Sequence, residues 1–180
     1  MQTTLENLVT AYNGESNASK RYQAFARTAE EEGYVPVASL FRAAARAEEI
    51  HAKALAGVIK KLGGSAEAKL EEPAVKSTRE NLAAALKGET YERDEMYPAF
   101  IEKARQERIT DAVRVFNYAK TAEGTHATLY KDALDNLASW KGTEKRDFFV
   151  CGICGHTVTK IDFEKCPSCL SPKDDYQKVN

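Results

Sequence analysis

Residues 48–51 of this chain read Glu-Glu-Ile-His, and residues 123–126 read Glu-Gly-Thr-His. In each stretch a carboxylate and an imidazole stand three residues apart, so on an α-helix they lie side by side on one face. Each pair also interrupts an apolar stripe, which contains Leu40 before the first pair and Phe116 before the second. Two such pairs on core-facing surfaces predict a bundle of helices with a polar centre.

The part of the chain over 1–140 contains mostly helix-forming residues and divides into four predicted helices. Gly33 with Pro36 ends the first helix, and the pair Gly63-Gly64 ends the second. Helices of similar length joined by short loops are typical of an antiparallel four-helix bundle. The predicted helices run over about 4–32, 36–62, 78–104 and 110–140.

Seven metal-binding side chains fall on the core-facing stripes, near the middle of each helix. Burying five carboxylates together is costly, because each loses its water and all repel one another. Two metal cations remove this cost, and five glutamates against two ferrous ions leave a net charge of about −1. Di-iron bundles take a Glu-x-x-His pair from each of two helices and one Glu from each of the others. Zinc or manganese fits the same donors. The predicted ligands are Glu15, Glu48, His51, Glu89, Glu92, Glu123 and His126.

An internal repeat supports the metal site. Gly14-Glu15 precedes Glu48 much as Gly88-Glu89 precedes Glu123, which indicates two related halves. The symmetry breaks at Glu92, because the position three residues after Glu15 is an alanine. One metal therefore has a choice of ligand, and we expect His51 and Glu92 to compete for it.

Two tyrosines and a proline lie near the predicted ligands. Tyr22 follows Glu15 by seven residues, so its hydroxyl either donates to a ligand carboxylate or belongs to an aromatic core. Tyr97 falls one residue off the stripe and is the weaker candidate for the same role. Pro98 interrupts the third helix, where it either allows flexing beside the site or bends the helix.

All four cysteines lie after position 150, as two Cys-x-x-Cys pairs with the segment 155–165 between them. Four thiolates at this spacing bind zinc or a single iron. The zinc alternative is a structural ribbon, and the iron alternative is a one-electron carrier. His156 is interpreted as a surface residue, with tuning of the metal site as the other reading. The ligands are Cys151, Cys154, Cys166 and Cys169, in a domain predicted over 141–180 after a helical domain over 1–140.

Charge and hydropathy exclude several classes of protein. The net charge is −1, and the cysteine-rich part carries few basic residues, so we expect no nucleic-acid partner. No apolar run approaches the roughly 18 residues of a membrane span. The N-terminal residues lack the pattern of a secretory signal, so the expected location is the cytoplasm.

These motifs resemble the rubrerythrin family over essentially the whole chain. The matching segments are Gly14-Glu15-Ser16-Asn17-Ala18, Glu48-Glu49-Ile50-His51, Gly88-Glu89-Thr90-Tyr91-Glu92, Met96-Tyr97-Pro98, Glu123-Gly124-Thr125-His126 and the two cysteine pairs. The resemblance implies a mainly α fold, with a four-helix ferritin-like bundle followed by a small rubredoxin-like metal-binding domain. Leu170 departs from the pattern, since rubredoxins usually have glycine after the last cysteine. The loop between the cysteine pairs is also shorter than in free rubredoxins.

The resemblance also implies a function, namely a non-haem di-iron peroxidase that reduces hydrogen peroxide to water in oxidative-stress defence. By the same resemblance, Glu48 and Glu123 bridge the irons, Glu15 and Glu89 are terminal, and His126 holds one iron. The other iron exchanges Glu92 for His51 on reduction. Electrons arrive through an iron-thiolate centre from a rubredoxin or an NAD(P)H-dependent reductase. Glu92, His51, Tyr22 and Tyr97 are the predicted catalytic residues.

Two further expectations concern assembly and alternatives. The C-terminal domain over 141–180, called the tail below, follows a bundle ~40 Å long and is expected to lie far from its own di-iron site. We therefore expect a head-to-tail homodimer. The alternative function is a ferroxidase or iron-handling protein of the ferritin-like class, in which oxygen is preferred to peroxide. A scaffold with zinc in the tail is a third reading, against which the five inward glutamates argue.

Overall fold

The computed structural model describes residues 2–180 and confirms the mainly α fold. Four long helical segments are followed by a small antiparallel sheet of three strands in the order β2-β1-β3. The helices are α1 (Thr4–Glu31), α2 (Val35–Lys61), α3 (Thr78–Tyr91), α4 (Tyr97–Gln106), α5 (Thr110–Asp135) and α6 (Leu137–Trp140), and the strands are β1 (Phe148–Cys151), β2 (Thr157–Val158) and β3 (Tyr176–Val179). A π-helical turn over Glu92–Met96 joins α3 to α4, and a 3₁₀ turn over Lys173–Asp175 precedes β3.

The starts of α1 and α3 are stabilised in the same way. Thr3 caps α1 and Ser77 caps α3, and each exchanges hydrogen bonds with a glutamate three residues later in a capping box. A second glutamate reaches each start from the other half of the bundle. Glu107 accepts the Thr4 N–H at 2.9 Å, and Glu32 accepts the Thr78 N–H at 2.9 Å.

The π-helical turn corrects the prediction of one regular helix over 78–104. Within it the Tyr97 N–H donates to the carbonyl of Glu92, five residues earlier instead of four. A π turn of this kind accommodates one extra residue, which rotates everything after it around the helix axis. Tyr97 is consequently fully buried, although the regular helical period places it off the stripe. Pro98, which has no N–H, follows at the start of α4.

The fourth predicted helix is also interrupted. The α5 helix ends at Asp135, and one short helical turn, α6, follows Asn136. Asn136 caps the end of α5 through its backbone N–H and bonds Asp132 through its side chain. The prediction of a continuous helix to Trp140 was therefore wrong at this point.

The apolar core of the bundle has two parts, which lie on either side of the mid-helix polar residues. One part contains a group of packed rings from Tyr22, Phe25, Phe41 and Tyr130, with centroid separations of 5.4–6.2 Å. The other part contains the rings of Tyr97, Phe100 and Phe116. These apolar layers seal the polar middle of the bundle from both ends.

The three-stranded sheet packs against the bundle of its own chain. Phe148 and Val150 on β1 are buried in the same hydrophobic cluster as Leu40 and Phe41 of α2. Arg46 of α2 also donates to the side chain of Gln177 on β3. The expectation that the tail lies far from its own di-iron site was therefore wrong. None of the helices in residues 2–180 is both long and apolar enough to cross a bilayer.

Candidate metal centres

Six of the seven predicted bundle ligands meet in two overlapping groups. In each group four ligand atoms, one from each residue, lie within 4.8 Å of one another, and every member is buried. Glu48 and Glu123 belong to both groups, so the two groups share an edge. The groups are Glu15, Glu48, His51 and Glu123, and Glu48, Glu89, Glu123 and His126.

The carboxylates of these groups carry oxygens with no hydrogen-bond partner in the protein. They are Glu15 Oε2, Glu48 Oε1, Glu89 Oε2 and Glu123 Oε1, one from each long helical segment. A buried carboxylate oxygen without a partner costs several kcal/mol unless a cation faces it. Four such atoms around two imidazoles fit a pair of metal ions with oxygen and nitrogen ligands.

The pKa shifts of the buried ligand residues show that positive charge stabilises this site. Burial, followed by the charges of neighbouring glutamates, raises the pKa of Glu48 well above its usual value. Burial also raises the pKa of Glu123, and the His51 charge opposes this shift. Burial works to lower the pKa of His51, but the charge of Glu123 outweighs it, so this pKa lies well above its usual value. Glu48, Glu123 and His51 therefore retain protons at positions where metal cations fit, and metal binding would release these protons.

Each histidine presents Nδ1 to three carboxylates. His51 Nδ1 lies 2.9 Å from Glu48, 3.3 Å from Glu123 and 3.7 Å from Glu15. His126 Nδ1 lies 3.1–3.6 Å from Glu123, Glu89 and Glu48. Nδ1 is therefore the imidazole atom that is placed to bind a metal in both groups.

The tail supplies the partner for the other nitrogen of each histidine. His51 Nε2 lies 3.1 Å from the carbonyl oxygen of Cys154, which can only accept, so Nε2 carries a proton. His126 Nε2 lies 3.0 Å from Thr157 Oγ1, and that hydroxyl donates its own proton to the Gly155 carbonyl. It must therefore accept from His126. Both contacts select the tautomer in which Nδ1 is free for a metal.

Gly155 allows this close approach of the tail. Its φ of +76° lies in the left-handed region, which favours glycine. A β-carbon at this position would overlap Nε2 of His51 and would lie 3.2 Å from the carbonyl oxygen of Ala47. Only glycine therefore brings the first cysteine pair directly against α2.

Each of the two predicted tyrosines donates to a carboxylate of the other half of the bundle. Tyr22 Oη donates to Glu89 Oε1 at 2.5 Å, and Tyr97 Oη donates to Glu15 Oε1. Both phenols are fully buried, and burial, followed by the charge of the partner glutamate, raises their pKa values well above the usual value. The hydroxyls therefore keep their protons and hold the two carboxylates in place.

Glu92 stands apart from both ligand groups. Its side chain is half-buried at the π-helical turn, and burial, followed by the charge of Glu15, raises its pKa well above the usual value. Arg21 opposes that shift, and its guanidinium lies 5.5 Å from the centre of the Tyr22 ring. In this conformation His51, not Glu92, occupies the position beside Glu15.

The four cysteines form a separate group in the tail. Their sulfurs lie within 4.8 Å of one another, with 3.7 Å between Cys151 and Cys169 and 3.6 Å between Cys154 and Cys166. A tetrahedral site with metal–sulfur bonds of about 2.3 Å has sulfur–sulfur edges of about 3.8 Å. The spacing therefore fits one tetrahedral ion. His156, expected at the surface, is only 6% exposed and bonds Tyr176.

Sequence reasoning missed Thr157 and Gly155 as parts of the bundle site. They follow the first cysteine pair and lie far in sequence from every bundle ligand. Gly155 directly follows Cys154, so its sequence position points only to the turn of the first cysteine pair. No periodic pattern links a two-residue strand to a helix across the chain, so only the packed tail reveals these contacts.

Comparisons with known proteins agree with this architecture. The family model described as rubrerythrin matches residues 6–134. Nigerythrin of Nitratidesulfovibrio vulgaris is 41% identical over 175 residues, which cover 97% of this chain and 85% of that protein. Rubrerythrin-2 of Clostridium acetobutylicum is 36% identical, and the match covers 97% of this chain and 95% of that protein.

Solved structures extend the agreement to the arrangement of the whole chain. The fully reduced, all-ferrous state of nigerythrin superposes with a TM-score of 0.91 and 40% identity, covering 99% of this chain and 87% of that one. A bacterioferritin of Desulfovibrio desulfuricans superposes with a TM-score of 0.72 at 22% identity over 78% of this chain and 88% of that one, which shows a shared bundle fold alone.

The bundle therefore carries the Glu/His donors of a non-haem di-iron centre, and the tail carries a rubredoxin-like site for one iron. Zinc fits the cysteine site by substitution. The packed helices, the shared carboxylates, the cysteine site and the full-length relatives lead to one conclusion: this chain belongs to the rubrerythrin family.

Proposed function

We propose that this protein is a peroxidase that reduces hydrogen peroxide to water at the bundle site, with electrons delivered through the cysteine site. The reaction consumes two electrons and two protons for each peroxide, and it breaks the oxygen–oxygen bond. When bound, the iron pair supplies both electrons and polarises the peroxide oxygens. Using two electrons together avoids a one-electron step and its hydroxyl radical.

The contact between His51 and Cys154 is the observation that carries this proposal. A ligand residue of the tail and a ligand residue of the bundle are joined by one hydrogen bond of 3.1 Å. A ferritin-like iron store needs no such connection, because its iron is oxidised directly by a diffusing oxidant. The contact therefore favours a bundle site that is re-reduced repeatedly over one that is oxidised once.

The remaining residues of the site have distinct proposed roles. Glu48 and Glu123 belong to both groups and would each be shared by the two metals, whereas Glu15 and Glu89 would each hold one. Tyr22 and Tyr97 orient the two terminal carboxylates and hold protons close to the site. In the proposed ligand exchange, the metal beside Glu15 would be held by Glu92 in the oxidised state and by His51 in the reduced state.

The electron donor is proposed to be a rubredoxin or an NAD(P)H-dependent reductase that meets the tail. Cys169 is the most accessible of the four thiolates, while the other three are buried. Cys169 would face the donor, and the Cys154 carbonyl, which bonds His51, would face the bundle. The tail thus has an outer side for the donor and an inner side for the bundle.

Anaerobic stopped-flow spectroscopy tests the reaction. Fully reduced, iron-loaded protein is mixed with one equivalent of hydrogen peroxide or of oxygen, and oxidation of both centres is followed by absorbance. We expect peroxide to oxidise the bundle site much faster than oxygen does, with oxidation of the cysteine site following. Equal or faster oxidation by oxygen, or an unresponsive cysteine site, would favour the ferroxidase alternative.

The head-to-tail homodimer remains a prediction, and its test is separate. Mixed dimers are prepared from a Cys169→Ser chain, which lacks a working tail, and a Glu48→Gln chain, which lacks a working bundle site. Peroxide turnover in the mixture requires that one chain's tail serves the other chain's bundle. Absence of turnover would mean that electrons pass only within a chain, through the contact described above.

A further inference from the structure

The hydroxyl of Tyr176 lies between a metal-binding sulfur and an imidazole. Tyr176 Oη is 3.2 Å from Cys166 Sγ and 2.8 Å from His156 Nδ1. Neither Tyr176 nor His156 has a role in the peroxidase proposal. His156 is nearly inaccessible to solvent, so its nitrogen faces the phenol without competition from bulk water.

The direction of these two hydrogen bonds follows from the groups themselves. A phenol has one proton, and a metal-bound thiolate has only lone pairs to offer. An imidazole nitrogen is a donor or an acceptor according to its tautomer. The arrangement that pairs both contacts has His156 Nδ1–H donating to Tyr176, and the Tyr176 hydroxyl donating to Cys166.

We propose that Tyr176, oriented by His156, is a positioning residue that raises the reduction potential of the cysteine site. A hydrogen bond to a thiolate withdraws negative charge from sulfur, which favours the more electron-rich ferrous state over the ferric state. The step is the gain of one electron by ferric iron from a one-electron donor. No bond is made or broken, and the phenol keeps its proton.

The packing around Tyr176 holds the phenol in this orientation. Tyr176 pairs with Cys151 across the β1–β3 ladder, so its backbone is fixed beside the first cysteine pair. The Phe163 ring packs at 5.3 Å from its ring centroid, and the His156 ring meets it edge-on at 6.3 Å. Removing the hydroxyl alone therefore leaves the ring supported.

Another hydroxyl contacts the opposite side of the site. Ser171 Oγ lies 3.2 Å from Cys169 Sγ and 3.5 Å from Cys151 Sγ. With Tyr176, side-chain hydroxyls reach three of the four sulfurs. Of these two hydroxyls, Tyr176 alone has a second side chain, His156, that orients its proton. The proposal rests on the proposed function only in treating this site as an electron carrier.

The chain offers a matched control. Tyr118 also packs against the cysteine cluster, but within residues 2–180 its hydroxyl has no hydrogen bond to a sulfur. Tyr176→Phe and Tyr118→Phe therefore each remove one hydroxyl from a ring beside the same site. Only the first removes a hydrogen bond to a ligand.

The experiment is an optical redox titration of the cysteine site in full-length, iron-loaded protein without peroxide. At a fixed solution potential, Tyr176→Phe is expected to lower the ferrous-to-ferric ratio by about tenfold, which is the scale of one hydrogen bond to a charged group. The sulfur-to-iron charge-transfer bands shift with it. Tyr118→Phe is expected to leave both unchanged. Identical potentials for Tyr176→Phe and the wild type would overturn the proposal.

A pair of substitutions at His156 provides a second test with Tyr176 intact. His156→Asn keeps an N–H donor near the position of Nδ1, and His156→Phe removes it. We expect His156→Phe to lower the potential and His156→Asn to restore most of it. Equal potentials for the two variants would contradict the orienting role, even where Tyr176→Phe fails to load iron. Because peroxide is absent, these results are independent of which oxidant the bundle prefers.

Discussion

The two halves of the bundle, α1–α2 and α3–α5, build the same site from the same parts, and each half completes the other. Tyr22 of the first half bonds Glu89 of the second, and Tyr97 of the second bonds Glu15 of the first. The helix starts are capped across the halves in the same crossed pattern. Each half therefore has unpaired polar groups when alone, and the site exists only when the halves are packed together.

The halves differ in spacing by a single position, and the difference lies at the metal site. Glu48 follows Glu15 by 33 positions in the first half, whereas Glu123 follows Glu89 by 34 positions in the second half. The extra residue is accommodated by the π-helical turn, which begins at Glu92. The first half is regular there and has Ala18 in the corresponding position. The π-helical turn thus contains Glu92, the one predicted ligand carboxylate that has no counterpart in the first half.

The tail adds a second difference, because it offers a carbonyl to His51 and a hydroxyl to His126. The first contact comes from a ligand residue of the cysteine site. The second comes from a side chain that substitution can remove. Electron delivery is therefore expected at the His51 side, and the His126 side is held by a hydroxyl alone.

The largest expected effect is a loss of bound metal. It distinguishes a ligand that belongs to both groups from a ligand that belongs to only one. Glu48→Gln is expected to remove metal from both positions of the bundle, because Glu48 belongs to both ligand groups. Glu15→Gln and Glu89→Gln are each expected to remove metal from one position. Iron content per chain, measured after anaerobic loading, checks this. Equal losses in Glu48→Gln and Glu15→Gln would show that the carboxylates are not shared.

A smaller effect is expected where the tail meets the first half. Gly155→Ala introduces a methyl group into the space of His51 and forces a left-handed alanine, which costs about 1–2 kcal/mol. Gly142→Ala forces the same conformation, at φ +74°, with no atom within 4 Å. Both variants are expected to lose stability, but only Gly155→Ala should slow electron transfer from the cysteine site to the bundle.

Stopped-flow re-reduction of the bundle, together with thermal unfolding of the same samples, distinguishes these outcomes. Transfer that is slowed in Gly155→Ala alone, at a temperature where both variants remain folded, assigns the transfer to the close contact. A slowed transfer in both variants would instead indicate a general loosening of the tail.

A more local effect is expected at the second half. Thr157→Val removes the acceptor for His126 Nε2 while keeping the side-chain volume. Loss of such an outer hydrogen bond is expected to weaken metal affinity at the His126 position by about tenfold. Thr128→Val, which removes an exposed hydroxyl bonded only to a backbone carbonyl, is the control. Ferrous titration of metal-free protein measures both. Weakening at both metal positions would count against a local role.

The smallest effect concerns the crossed helix caps and depends on pH. The Thr4 N–H lowers the pKa of Glu107 to about 2, below the usual value of about 4.3. A lowered pKa in the folded state stabilises the fold at pH values above about 4.3, and this contribution disappears as the pH falls through about 2. Glu107→Gln should therefore be slightly less stable than the wild type at pH 6, and most of this difference should be lost near pH 2.

Urea unfolding across this pH range checks the prediction. The comparison variant is Glu32→Gln, because Glu32 accepts the Thr78 N–H at the start of α3 in the same way. A difference between Glu107→Gln and the wild type that persists unchanged at pH 2 would show that the carboxylate charge is not its source.

The sequence by itself determined the bundle, the di-iron donor types and the cysteine site, and the structure and comparisons confirm these. The physical reason is that helical periodicity places residues three and four apart on one face. Mid-helix glutamates and histidines can therefore be assigned to the core without coordinates. The cysteine pairs are also recognisable from local spacing, because the two cysteines of each pair lie within a single turn of the chain.

Only the tertiary structure decided the features that depend on an irregular turn or on contacts between distant segments. Tyr97 reaches Glu15 because a π-helical turn breaks the regular period on which the sequence argument depended. The tail covers its own bundle because Gly155 permits close contact with His51, which lies in a much earlier part of the chain. The choice of partner in such contacts is set by packing of the whole chain, and local spacing carries no information about it.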